Sequence, residues 1–345
     1  MILNGEVAVT LFFVLSGLVL SQSLERSTET FWVNYGPFSL RRVFRICPAH
    51  WAALSVIVAS ILLFGVNMSY PAQVSSWFTS HWSEPITPKL VLKNTFFMNY
   101  HLNKPTWTLR AELIGSFCLP FLVFTSQRVK WRGRAALLAL LLVFSVVPDG
   151  NSRSLFYLSV NSLSFVYVFY LGYLVSAAGP RLMSILSPGT LASRCAAPVA
   201  LVVLCSSVFW IPQIRPFGGW IDGVMAAVFI SALIHGPEAG WYRIFDWPIT
   251  RFYGRISYSF YLYHMVTLFW VSKAVFRLLP VHALTAYVLP IGLGLFVVST
   301  AVATAIGWIS YRYVESPAIA FSKDLSQRLK REAVKATPET QPIQN

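Results

Sequence analysis

Three short stretches of this chain hold residues whose types and spacing could do chemistry. In Leu40–Pro48, LRRVFRICP, the guanidiniums of Arg41, Arg42 and Arg45 fall at positions i, i+1 and i+4. At about 100° per residue those positions cluster on one helical face. Planar bidentate donors match phosphate oxygens, so such a face can hold a polyanion. It can equally anchor topology and bind anionic lipid headgroups. In Pro105–Glu112, PTWTLRAE, a proline and two threonines suit a helix start, and Glu112 then lies about one turn into the membrane. That carboxylate can accept a proton or hold a substrate hydroxyl. It can also complement the helix N-terminal dipole, with Arg110 snorkelling to the surface. In Ser257–Thr267, SYSFYLYHMVT, the residues Ser257, Tyr261 and His264 recur at spacings of four and three and share a face. An imidazole there either serves as a base or hydrogen-bonds a neighbouring helix.

Other candidates carry less. Phe12–Gly17, FFVLSG, offers Ser16 and Gly17, small residues that let helices approach closely. Asp222 reads as a helix-start residue. Cys47, Cys118, Cys195 and Cys205 form no CxxC pair and most fall in or beside apolar blocks, so they read as small buried apolar residues. Close-set thiolate and imidazole pairs are missing, and no metal site is expected. The sequence holds no glycine-rich phosphate loop, HExxH, GxSxG or heptad repeat.

The elements that must position these residues follow from composition. Of 345 residues, 56% are hydrophobic and 12% charged, about half the charge of an ordinary soluble domain. Mean hydropathy is +0.60, and the apolar residues come in long blocks. Runs near 20 residues are helical spans, which excludes a β-barrel with its shorter alternating strands. The fold class is all-α, a polytopic transmembrane bundle. Nine spans are expected, near 7–24, 46–66, 106–125, 135–148, 155–177, 196–211, 220–235, 257–277 and 286–309. They form one membrane domain over residues 1–321. A polar tail over 322–345 starts as a basic amphipathic helix and ends in disorder. The net charge of +14 sits between apolar blocks, where topology signals belong, and this argues against nucleic-acid binding. Nineteen Lys and Arg fall on the side of loops 25–45, 126–134, 178–195, 236–256 and the tail, against seven opposite. The positive-inside rule puts the C-terminus in the cytoplasm and the N-terminus outside.

Taken in order, five stretches resemble the membrane acyltransferase type-three family. They are GEVAVTLFFVLSG at 5–17, RRVFRICPA at 41–49, NKPTWTLRAEL at 103–113, ISYSFYLYHM at 256–265 and YRYVESP at 311–317. Members of that family are ten-span proteins that acylate sugars and related acceptors. The resemblance implies a transferase of the inner (plasma) membrane that moves an acyl group, most simply acetyl, from acyl-CoA to a hydroxyl of a glycan or lipid-linked sugar. It carries no permanently bound cofactor; acyl-CoA is the donor substrate. The family's Arg-x-x-Arg pair falls on Arg42 and Arg45, with Arg41 beside them, which makes this cluster the donor's phosphate site. The family's Trp-Ser-Leu-x-x-Glu segment falls on Trp107, Leu109 and Glu112, with Thr108 in place of the serine and its hydroxyl kept. The resemblance thus makes Glu112 and His264 the catalytic candidates, and Trp107, Thr108 and Tyr261 the substrate-binding ones. The family has a further first helix bearing the histidine regarded as catalytic, and nothing in this sequence matches it. The expectation is therefore that Met1 starts the chain one helix late, that the missing histidine lies upstream of Met1, and that these 345 residues are inactive alone. Two other classes remain: a transporter or flippase without chemistry, and an inactive remnant of the family.

Overall fold

The computed structural model describes residues 5–27, 30–66, 74, 76–79, 82, 85–146, 162–178, 191–210, 217–235 and 245–336. Among them there is no strand. The main helices are α1 (Gly5–Glu25), α2 (Phe31–Phe64), α3 (Pro88–Thr95), α4 (Trp107–Arg128), α5 (Trp131–Ser145), α6 (Val166–Ala177), α7 (Leu191–Trp210), α8 (Gly218–His235), α9 (Pro248–Leu278), α10 (Val288–Ser310) and α11 (Ser316–Ala336). A π-helical turn, Tyr311–Glu315, joins the last two. Each expected span is helical over most of its described residues; 147–148, 155–161 and 211 lie outside them. Met1, expected to start the chain one helix late, also lies outside the described residues, as does the end of the tail over 337–345. Among the described residues, Gly5–Glu25, Phe31–Phe64, Lys104–Arg128 and Val288–Ala333 are long and apolar enough to cross a membrane. α10 exposes Leu289, Leu293, Phe296 and Val297. A face this apolar belongs in lipid.

The boundaries differ in one instructive place. The apolar run predicts a second span from residue 46, yet α2 begins at Phe31 and places Arg41, Arg42 and Arg45 inside one continuous helix. Residues 31–45 mix aromatic, polar and basic side chains, so they lack the uniform apolar signal while remaining good helix formers. The basic stretch after Phe321 is helical as far as Ala336.

The chain forms two compact units. The first comprises residues 1–39, 110–247 and 328–345. Its core is built on α1 against α6, where Phe13 and Phe169 stack with centroids 5.1 Å apart. Gly17 makes this possible, since a Cβ there would lie 2.1 Å from the Phe169 carbonyl oxygen. A Cβ on Gly172 would lie 2.1 Å from the Val14 oxygen. The expected packing role of Gly17 is thus seen directly. Three buried or half-buried side chains of this unit show how polar groups are paired away from water. The Tyr170 hydroxyl meets Ser126 at 2.7 Å, Tyr167 donates to the Gly219 carbonyl at 2.6 Å, and Trp220 donates to Ser145 at 2.8 Å.

The second unit comprises residues 40–109 and 248–327. α9 is its hub. The Tyr258 hydroxyl donates to the Ile46 carbonyl at 2.6 Å, and Trp270 donates to Ser60 at 3.0 Å. Further along, the Lys273 ammonium donates to the Phe64 and Gly65 carbonyls and caps the end of α2. Numbers rise together in all three contacts, so α2 and α9 run parallel. α10 returns antiparallel: Gly307 abuts the Phe260 backbone, while Thr267 reaches the Ser299 carbonyl at 3.4 Å.

Candidate functional site

The second unit gathers most of the residues singled out above. Arg41, Arg42 and Arg45 lie half-buried near the start of its part of α2. One turn beyond Arg42, the backbone at Ile46 is held to α9 by Tyr258. Below it, Glu315 is 2% exposed, accepts a hydrogen bond from Ser259 at 2.7 Å, and feels the positive charge of Arg45. Glu315 was not among the expected site residues, although the YRYVESP stretch contained it. It sits in the π-helical turn, a distortion that recurs at functional sites.

The segment before α4 is tied to α9 in the next turn. Asn103 donates its amide to the Leu262 carbonyl at 3.0 Å. Tyr261 donates its hydroxyl proton to the Pro105 carbonyl at 2.7 Å and meets the Thr108 hydroxyl at 2.9 Å. Thr108 and Tyr261, expected separately, are therefore hydrogen-bonded to one another. Trp107 opens α4 beside them, half-buried. His264 follows on α9, also half-buried, with Nδ1 2.6 Å from the Tyr261 carbonyl oxygen. A carbonyl only accepts, so Nδ1 carries the proton. In the neutral ring Nε2 then keeps the lone pair. That is the tautomer a base needs. Ser257, on the same face, is exposed and bonds back to the Gly254 carbonyl of its own helix, at 3.0 Å.

Glu112 lies in the first unit, 2% exposed, four residues after Thr108 on the same helix. Asp222, expected at a helix start, falls about one turn into α8, buried and hydrogen-bonded to Ser207. Cys47 is buried as expected, but Cys195 and Cys205 are exposed on α7 beside Val199 and Val202. A lipid-facing helix surface accounts for an apolar thiol there. The histidine expected upstream of Met1 has no counterpart among the described residues, which begin at Gly5. Of the imidazoles they do hold, His264 is the one placed against the Thr108–Tyr261 pair. No cluster of three or more potential metal ligands occurs among the described residues.

Two features escaped the sequence. First, the long connection between α2 and α4 does not stay beyond the end of α2. His50 donates Nε2–H to the Asn94 carbonyl at 3.0 Å, and Trp51 donates to Thr95 at 3.1 Å. The end of α3 therefore docks fourteen residues before the end of α2 at Phe64, about 21 Å back along the helix. Hydrophobic runs identify spans, not connections folded back between them. Second, the first unit holds a cavity of about 240 Å³ lined in part by Phe31, Asn34, Tyr35, Phe124, Gln127 and Arg128. The Arg128 guanidinium stands 3.3 Å over the Phe124 ring.

A family model described as an acyltransferase domain matches residues 1–312, from Met1 onward. YrhL of Bacillus subtilis strain 168, provisionally named a peptidoglycan O-acetyltransferase, is 28% identical over 339 residues, covering 91% of this chain and 50% of that protein. The peptidoglycan O-acetyltransferase OatA of Listeria monocytogenes serovar 1/2a is 24% identical over 352 residues, covering 91% and 51%. The chain thus spans about half the length of the curated relatives it matches. No solved structure matches it.

Proposed function

The chain belongs to the membrane acyltransferase type-three family, and on that premise we propose that it transfers an acyl group, most simply acetyl, from acyl-CoA to a hydroxyl of a glycan or lipid-linked sugar. One observation carries the reading. Four of the five family-like stretches, 41–49, 103–109 of the third, 256–265 and 311–317, fall in one compact unit and are joined there by hydrogen bonds to α9. Such convergence of separated polar stretches within an apolar bundle is what a site requires and what packing alone does not.

In this reading Arg42 and Arg45, flanked by Arg41, bind the donor's phosphates, and the Glu315 carboxyl lies within the field of Arg45. The acceptor hydroxyl gives its proton to Nε2 of His264 as its oxygen bonds to the thioester carbonyl carbon. The carbon–sulfur bond then breaks, and the coenzyme A thiolate leaves with the proton from the imidazolium. Glu112 orients the acceptor, and Trp107, Thr108 and Tyr261 shape the acceptor's seat. The thioester is already activated, so these residues supply positioning and proton transfer. Nine spans, a cytoplasmic C-terminus, and a membrane domain over 1–321 followed by a polar tail over 322–345 complete the proposal, in the inner (plasma) membrane.

The direct test is donor use by the purified full chain in detergent micelles. Arg42→Ala and Arg45→Ala should each weaken acyl-CoA use by the worth of one charge-assisted phosphate contact, roughly 1.5–3 kcal/mol. Arg45→Lys should restore only part, because an ammonium cannot make the bidentate fork. Unchanged donor affinity in the double alanine variant would return the arginines to lipid anchoring. Acceptor-driven movement of sugar across vesicles, without thioester cleavage, would point instead to a flippase.

A further inference from the structure

Between α2 and α4, residues 85–106 contain Lys89, Lys93 and Lys104 and no acidic residue. Lys89 and Lys93 stand four apart on α3 and both are exposed. Residues at that spacing share a helix face. A pair of exposed ammonium groups does not face hydrocarbon, so this side of the unit meets water. Just after α3 the chain turns at Phe97, whose φ is +57° and whose ring stacks on His50 with centroids 4.4 Å apart. This pinned turn separates two exposed rings, Phe96 at 59% and Tyr100 at 43%.

The polar groups around that turn are incompletely used. The Asn99 side-chain oxygen accepts the His101 backbone N–H at 2.6 Å, which leaves the amide NH₂ as a donor. His50 is 1% exposed; its Nε2 donates to Asn94, so its Nδ1 can only accept. His50 Nδ1 and His101 Nε2 are both buried and meet no hydrogen-bond partner among the described residues. Both nitrogens are sealed beneath the turn, so what the turn offers a ligand at its surface is the Asn99 amide and the exposed rings. Exposed ring faces beside an amide donor suit a sugar. Paired ammonium groups add a preference for a carboxylate.

We propose that α3 and the residues following it to His101 form a docking surface for an acidic glycan, with a sugar ring on Tyr100 and its carboxylate on Lys89 and Lys93. The inference rests on the acyltransferase reading and names where that reaction's acceptor is received. The same segment runs on through Asn103, anchored to α9, into the Thr108–Tyr261 junction. A sugar seated on it is therefore carried by the element that leads to the reacting groups.

Isothermal titration on the full chain in detergent tests this with two probes. One is the disaccharide of N-acetylglucosamine and N-acetylmuramic acid, which carries a carboxylate; the other is neutral chitobiose. Replacing both lysines, Lys89→Gln with Lys93→Gln, should weaken the acidic disaccharide about tenfold or more and leave chitobiose unchanged. Tyr100→Ala should weaken both probes, and Tyr100→Phe should keep the ring and most of the affinity. All these side chains are exposed, so the variants should fold. The proposal is overturned if wild type binds neither disaccharide, or if the lysine pair governs binding of short-chain phosphatidylglycerol but not of the acidic sugar. Donor cleavage by a wild type that ignores both sugars would sink this surface alone. Lysine- and Tyr100-dependent sugar binding without any acyl transfer would keep the surface and sink the reaction.

Discussion

His264 shows how much one backbone contact decides. Its Nδ1 proton is committed to the Tyr261 carbonyl of its own helix, 2.6 Å away, so the ring's tautomer is set locally and Nε2 is the basic nitrogen. His50 is fixed the opposite way, with Nε2 donating to Asn94. The two imidazoles therefore offer different nitrogens, and only His264 is half-open. His264→Gln can keep a polar side chain while removing the base. It should lower turnover by about 100-fold or more, the usual worth of general base catalysis, with donor affinity unchanged. Turnover within a few-fold of wild type, in protein that purifies normally, would remove His264 from the mechanism. Glu112→Gln makes the companion test. A carboxylate serving only the helix dipole is worth about 0.3–1 kcal/mol and should barely alter turnover. A carboxylate that orients the acceptor should cost far more and should raise acceptor KM. Both residues stand out in the sequence as candidates because each is an ionisable group inside an apolar run. Glu315 was not, since it lies at the end of a span, where acids are common; only its burial against Ser259 marks it.

At the level of helices, the contact between α1 and α6 is the least forgiving. A Cβ on Gly172 would stand 2.1 Å from the Val14 oxygen and 2.6 Å from the Leu18 nitrogen. Both are backbone atoms, which cannot swing aside as a flexible side chain would. Gly172→Ala gains about 1 kcal/mol of helix propensity. Forcing two packed helices apart costs about 1–3 kcal/mol, and more where backbone meets backbone. Strain should win, and the thermal midpoint in detergent should fall. Gly292→Ala is the control, because nothing lies within 4 Å of a Cβ there. Equal midpoints for the two variants would show that α1 and α6 can separate at little cost. The partner of Gly17 could not be found from its own stretch: FFVLSG says that something comes close, but only the fold supplies Gly172. The same limit hid the docking of α3 on His50 and Trp51, which rests on two side-chain hydrogen bonds to carbonyls and leaves no periodic trace. The early start of α2 was lost for another reason, since an amphipathic lead-in dilutes the apolar signal by which spans are found.

For the molecule as a whole, composition told the class, and charge told a direction that packing can now be set against. The Lys and Arg count assigns loops 25–45 and 236–256 to the same side of the membrane. Those segments contain the starts of α2 and α9. Within the second unit these helices run parallel, from Ile46–Tyr258 through Ser60–Trp270 to Gly65–Lys273. Parallel neighbours must begin on the same side, so Arg41–Arg45 and the basic start of α9 at Arg251 and Arg255 share a face. This constraint owes nothing to counting charges. α10 then returns antiparallel, which sets the turn near His282 opposite to the arginines and brings Arg312 and α11 back to them. Single cysteines at His282 and at Arg331, in a background with the four native cysteines replaced by alanine or serine, test both lines together. A membrane-impermeant maleimide added to intact cells should label His282→Cys and spare Arg331→Cys until the membrane is opened. Labelling of both from outside would break the antiparallel pair. Labelling of Arg331→Cys alone would keep the pair but invert the chain, and the arginines would then face away from the compartment that supplies acyl-CoA. The donor site proposed for Arg42 and Arg45 depends on that face, so this labelling pattern decides the chemistry as well as the topology.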